Sequence, residues 1–272
     1  MTSKQSNYDR IITEIFFRHY KAGMTDFEFD RVEIEEAARK LKLPRPKNLG
    51  DVIYTYRHRR DLPQRIRKTA PSKTPHWIIP GAGSGKYRFV TSRVSQFVPN
   101  PAMDFIKIPD ATPGIIKKYA LSDEQALLAI LRYNRLLDVF AGIACYSLQS
   151  HLRTQLTSGV QLETDEIYIG IARSGAHCVI PVQAKGGNDR MGVIQIFQDL
   201  EMCAEKYPNL ICRPIGAQFM ADDEIALFEF AERRHRAVIV TEQHYQLVAP
   251  DQLSDMELAE YKKRVALSGA SL

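Results

Sequence analysis

The chain has 272 residues, 44% hydrophobic and 25% charged, with a formal net charge of +5, enough for one large or two modest globular domains. No apolar run approaches the roughly 18 residues of a helical membrane span, and the opening MTSKQSNYDR lacks a signal-peptide core, so a cytoplasmic protein is expected. Cys145, Cys178, Cys203 and Cys212 form no C-x-x-C and no close Cys/His pair, which excludes a zinc knuckle or a disulfide framework and leaves buried thiols as the expectation.

The charge is unevenly spread. Residues 1–100 hold 20 Lys/Arg against 10 Asp/Glu, and the remainder holds 17 against 22. A basic front half and an acidic rear half imply two domains, with a polyanion placed mainly on the first.

In chain order, Ile11, Ile12, Ile15, Phe16 and Tyr20 recur at helical spacing over residues 7–22, predicting an amphipathic helix that ends near Gly23. A second helix is expected from about Asp30 to Leu41, broken by Pro44 and Pro46, and a third from Leu49 to Arg59, capped by Asn48 or Asp51. The pattern reads as a helix-turn-helix. Its last helix turns Val52, Ile53 and Tyr56 inward and leaves Tyr54, Thr55, Arg57 and Arg59 for solvent or double-stranded DNA. Lys47, Arg60 and Arg65 extend the basic surface, which Arg67 and Lys68 continue. His76–Ile79 and residues 86–90, KYRFV, flank a Gly-rich turn and form a plausible wing, with Lys86 and Arg88 as DNA contacts and Trp77 in its core. The turn does not cradle a nucleotide, because Pro80 stands where a P-loop needs Gly and Tyr87 follows Lys86 where Ser or Thr is needed. No nucleotide cofactor is expected.

Pro99, Pro101, Pro109 and Pro113 interrupt the next stretch. The expected organisation is therefore a winged-helix domain over residues 1–98, an ordered connection over 99–120 and a second domain over 121–272. Ser122-Asp123-Glu124-Gln125 resembles a capping box at the start of a helix, with a further helix near Arg132–Leu137. Two β-rich runs, Glu163–Ile171 and Cys178–Val182, flank Arg-Ser-Gly-Ala and read as a hairpin. A helix is expected from Met191 to Ala204, strands at Leu210–Ile215 and Ala237–Val240, a helix at Ile225–Arg234 between them, and a terminal helix from Met256 to Val265. Alternating strands and helices imply an α/β core.

The hairpin carries the chemistry. Asp165 lies across from the region of Gln183 and Lys185, and a carboxylate, an amide oxygen and an ammonium at one strand end suit Mg²⁺-assisted phosphodiester hydrolysis. Asp165 and Gln183 are the expected metal ligands, Lys185 the group that orients water and offsets phosphate charge, and Glu163 and Glu166 further candidates. A two-residue turn would set Glu166 opposite Gln183, and a three-residue turn would set Asp165 opposite Lys185. The choice between the two acids stays open, with Asp165 preferred.

Asp165…Gln183-Ala184-Lys185 resembles the PD-(D/E)xK signature of restriction endonucleases in a Gln-for-Glu form, with Thr164 in place of the signature's Pro. The neighbouring CYSLQSHLR at 145–153 and IPVQAKGG at 180–187, followed by Gln195, Gln198 and Asp199, resemble a group of bacterial restriction enzymes that carry an N-terminal winged helix. The resemblance implies a restriction-endonuclease-like core, a mixed sheet flanked by helices, and a sequence-specific type II enzyme that cuts double-stranded DNA with Mg²⁺. It also implies an acid from the helix before the hairpin; Gln149, His151 and Arg153 occupy the comparable stretch without a Glu and are read as DNA contacts. Cutting both strands calls for two active sites, so a homodimer is expected. The alternatives are a repair or modification-dependent nuclease and a non-catalytic winged-helix regulator.

Overall fold

The computed structural model describes residues 6–119, 124–186, 189–220, 223–233 and 236–267. It is a mixed α/β protein: a small helical and four-stranded unit at the front packs against an eight-stranded mixed sheet. Among the described residues no helix is long and apolar enough to cross a membrane.

The front unit begins with α1 (Asn7–His19), where Ser6 and Asp9 form a reciprocal capping box. Its apolar stripe, Ile11, Ile12, Ile15 and Phe16, is fully buried. There follow β1 (Asp26–Asp30), α2 (Glu33–Lys40) and α3 (Leu49–Tyr54), which Asn48 caps through the Gly50 N–H. Residues 55–59 prolong α3 as a wider, π-helical turn. The helix expected from about Asp30 to Leu41 forms over Glu33–Lys40, and it is preceded by a strand the sequence reading did not include, in which Phe27 and Phe29 turn inward at the two-residue period. The Tyr56 hydroxyl donates to Asp9 at 2.7 Å and pins the third helix to the first.

A short α4 (Gln64–Arg67) leads to β2 (His76–Ile78), β3 (Gly81–Gly83) and β4 (Lys86–Ser92). β4 pairs antiparallel with β1, β2 and β3. Trp77 is core, as expected, edge-on to Phe16 and with its indole N–H on Thr69 Oγ1 at 2.9 Å.

The large sheet takes one strand, β6, from within the expected connection and the others from the chain after it. After β5 (Gln96–Phe97) come β6 (Phe105–Pro109), α5 (Gly114–Tyr119), α6 (Glu124–Tyr133), α7 (Leu136–Ala141) and β7 (Ala144–Gln155). Of the expected capping box, Ser122 and Asp123 lie outside the described residues. The hairpin strands are β8 (Gln161–Ile171) and β9 (His177–Lys185), followed by β10 (Met191–Gly192), α8 (Val193–Lys206), β11 (Ile211–Cys212), β12 (Ile215–Phe219), β13 (Glu224–Glu232), β14 (Ala237–Val248) and α9 (Asp255–Leu267). The order across the sheet is β6-β14-β13-β12-β9-β8-β7, with β11 also beside β9. β9 is interior, antiparallel to β8 and parallel to β12.

Two sequence expectations change here. Residues 225–232 form strand β13, not a helix; Ile225 to Phe228 are buried consecutively between β12 and β14, and such a run has no period that separates strand from helix. Residues 144–155 form edge strand β7, so the helix preceding the hairpin is α6–α7.

The front unit meets the sheet through the β5–β10 pair and through the β7–β8 turn, where Gly159 (φ +84°) would set a Cβ 2.8 Å from the Ser84 backbone nitrogen. Gly175 has a similar φ, +82°, with open space around it. Gly175→Ala should therefore cost about 1 kcal/mol from backbone strain alone, and Gly159→Ala clearly more, because the clash with Ser84 adds to the same strain. Thermal melting of the two variants checks this; equal melting temperatures would contradict the Gly159–Ser84 contact.

Candidate active site

The hairpin turn decides which acid faces the amide. The ladder pairs Ile171 with His177 and runs back to Glu166 with Val182. The connection is thus residues 172–176, closed by Ala172 N–H to the Ala176 carbonyl at 2.9 Å. Neither shorter turn occurs, and the ladder ends one residue short of Asp165, whose carboxylate instead reaches the Ala184 N–H.

Side chains alternate across the sheet. Glu166 goes to the α6 side, fully buried, where it accepts from Ser147 Oγ at 2.6 Å and meets Arg132 Nε at 3.3 Å. It is on the wrong face to join Gln183 and Lys185. Asp165 is only 8% exposed, and its Oδ2 accepts the Ala184 backbone N–H at 2.8 Å. Burial pushes its carboxyl above the usual range, against the pull of Lys185 and the Ala184 N–H, with Glu124 and Glu163 adding to the rise.

Lys185 closes β9 as a buried cation, and its ammonium sits 2.7 Å from Glu124 Oε1 at the start of α6. Glu124 was not singled out from sequence, because a Glu beside Ser-Asp reads as part of a helix start. An acid thus reaches Lys185 from α6, while residues 149–153 belong to edge strand β7 and not to a helix. Glu163 is half-exposed; burial opposes its ionisation, but hydrogen bonds from Arg153 (3.1 Å) and His151 (3.2 Å) hold its carboxyl below the usual range.

Gln183 lies one layer deeper, 1% exposed. Its Nε2 donates to Asp199 Oδ2 at 3.0 Å and Oδ1 at 3.2 Å, and its Oε1 accepts from Gln195 Nε2 at 3.2 Å. Asp199 also accepts from Thr164 Oγ1 at 2.6 Å, and complete burial pushes its carboxyl up to about 7. Gln195, on α8, also lines the cleft described below. Asp199 was quoted only for the resemblance; the available signal was an acid four residues after Gln195, on the same helical face among buried Ile196, Met202 and Cys203.

These groups floor a cleft of about 800 Å³, lined by Asp165, Lys185, Glu124, Glu163 and Gln195 and, from the front unit, by Tyr54, Arg57, His58 and Arg59. His151 and Arg153 also line it. Of the residues expected to face solvent or DNA, Tyr54 and Arg59 are exposed, whereas Thr55 and Arg57 are drawn inward where the π-helical turn packs beside β10 at the cleft. Thr55 is buried, donating to the Asp51 carbonyl at 2.7 Å. Arg57 donates to the Ile79 carbonyl at 2.6 Å and lies over the Tyr87 ring, while one guanidinium nitrogen is buried with no hydrogen-bond partner among the described residues. Burial pushes it down to about 10, so it stays charged at neutral pH.

Of the other expected DNA contacts, Lys47, Lys86 and Gln149 are exposed away from the cleft lining. Arg60 reaches Ser6 Oγ, Arg65 stacks on Phe17, and Arg88 is paired with Asp26. Comparisons with family models, with curated proteins and with solved structures find no match to this chain.

His58 gives a pH test. Burial, with Arg57, Lys185 and Arg59 around it, pushes its imidazole down to about 4. The unfolded chain takes up this proton near pH 6.5 and the folded chain does not, so stability falls as pH drops from about 6.5 towards 4. His58→Gln should flatten that part of the curve in urea denaturation at stepped pH; parallel curves for the two proteins would contradict a buried neutral His58.

Proposed function

We propose that this chain is a Mg²⁺-dependent DNA endonuclease of the restriction type, with a winged-helix front domain and a PD-(D/E)xK-like core. One observation carries the reading: Asp165, Lys185 and Glu124 meet at the floor of a cleft whose facing wall is the basic segment 54–59. The order helix, strand, two helices and antiparallel strands in the front unit agrees with a winged helix.

The donor set fits a small hard dication. Oδ2 of Asp165 is taken by Ala184, and among the described residues no hydrogen bond engages Oδ1. The Gln183 amide oxygen accepts one hydrogen bond and keeps a second lone pair. Lys185 cannot neutralise Asp165 fully, because Glu124 already holds its ammonium. Asp165 and Gln183 would hold Mg²⁺, which keeps most of its water and needs few protein oxygens. Bound there, the ion supplies Lewis acidity towards a phosphoryl oxygen and lowers the pKa of water. Lys185 offsets charge that develops on the phosphate and orients the attacking water from its fixed place at the end of β9. Arg57, Arg59, His151 and Arg153 hold the flanking backbone phosphates of a duplex, which positions the scissile bond without reading sequence. Cutting both strands then calls for a second copy of the chain.

Plasmid and genomic DNA incubated with Mg²⁺ should be cut at defined ends, and EDTA should abolish the cutting. Lys185→Ala and Asp165→Asn should each lower the rate by about 100-fold or more while gel shifts show duplex binding retained. Binding with no cleavage of any modified or unmodified DNA would replace this reading with the non-catalytic regulator.

A further inference from the structure

A glutamine among metal ligands poses a problem that a glutamate does not, because its two ends differ chemically. Turned one way it offers the ion an oxygen, and turned the other way an N–H₂ that repels it. The surroundings of Gln183 settle the choice. A backbone carbonyl is an acceptor only, and the Glu163 carbonyl lies 3.2 Å from one end of the Gln183 side chain. That end must be the amide nitrogen, which also faces both oxygens of Asp199 at 3.0 and 3.2 Å. The oxygen is then the end on the side of Gln195, a residue that lines the cleft.

Asp199 is itself fixed. It is 1% exposed on α8, within a helical face whose other buried members are apolar, and Thr164 Oγ1, beside Asp165 on β8, donates to it at 2.6 Å. Burying an acid there costs free energy that neighbouring donors must offset, and the only side chains that donate to it among the described residues belong to the active-site strands.

We infer that Asp199 is a positioning residue for the metal site: from one layer back it locks the Gln183 amide with its oxygen towards the ion. The inference rests on the nuclease reading above. It also accounts for the residue at 183, since a glutamate there would place two carboxylates about 3 Å apart in a buried site.

Charge exchange between the two positions tests it, with Mn²⁺ alone as the probe, titrated into the full-length protein by calorimetry and followed by circular dichroism for folding. Asp199→Asn should weaken Mn²⁺ binding by about tenfold, the size expected when a residue behind a metal ligand is lost. Gln183→Glu alone should destabilise the fold. The double variant Gln183→Glu/Asp199→Asn keeps one carboxylate and one amide, and should refold the pair and bind Mn²⁺ at least as tightly as the parent, because the charge now touches the ion. If Asp199→Asn folds poorly, the double variant still decides. Mn²⁺ affinity unchanged in Asp199→Asn, or weaker than the parent in a well-folded double variant, overturns the inference. Asp165→Ala separates the two levels: if it loses Mn²⁺ while Asp199→Asn does not, only the role of Asp199 fails, and if it binds as the parent does, the metal site fails with it.

Discussion

At Asp165 a side chain takes over a hydrogen bond that a neighbouring strand would ordinarily supply. β8 and β9 are paired from Ile171/His177 back to Glu166/Val182, and just beyond this the Asp165 carboxylate accepts the Ala184 N–H. β9 meanwhile stays joined to β12 through Gln183, Ala184 and Lys185. The two strands can therefore separate at one end without leaving a buried donor unpaired, which would cost more than the bond itself contributes. That separation gives Gln183 and Lys185 room to be polar in the interior of an eight-stranded sheet. The rest of the cleft is arranged around it.

Charge balance follows from the same spot. Asp165 and Lys185 are both buried, and neither would be tolerated alone. Glu124 from α6 and Asp199 from α8 approach from the two helices that flank the strand pair, and each is tied to one member of the Gln-x-Lys set. The front unit contributes the opposite sign. Arg57 and Arg59 are charged, whereas His58 between them is kept neutral by burial. A cleft with an acidic floor, one lysine and a basic wall suits a phosphodiester that must be gripped by its neighbours and attacked at one position.

Much of this was legible in the sequence, and the failures have physical causes. α1 and α8 show clear helical periodicity, and Trp77 reads as core because it stands in an apolar strand next to a glycine turn. The Asp165, Gln183 and Lys185 set was legible because a charged residue at the end of an apolar strand calls for a partner. Register was not, since composition does not separate a turn of two residues from one of three or five, and an even or odd turn decides which acid points inward. β13 was lost because interior strands buried on both faces carry no alternation. Glu124 and Asp199 were invisible for a different reason: each depends on a helix docking over the sheet, and no local pattern reports a contact 61 or 16 residues away. The place of Arg57 against Ile79 and the cleft is likewise a property of the tertiary packing and not of the helix itself.

The most direct test is the position of the ion. Crystals of the protein with an uncleaved duplex and Mn²⁺ should show an anomalous peak at about 2.1 Å from an Asp165 carboxylate oxygen, with the Gln183 amide oxygen on its inner side and a DNA phosphate on its outer side. A peak elsewhere in the cleft, or none at saturating Mn²⁺ with duplex bound, would contradict the account.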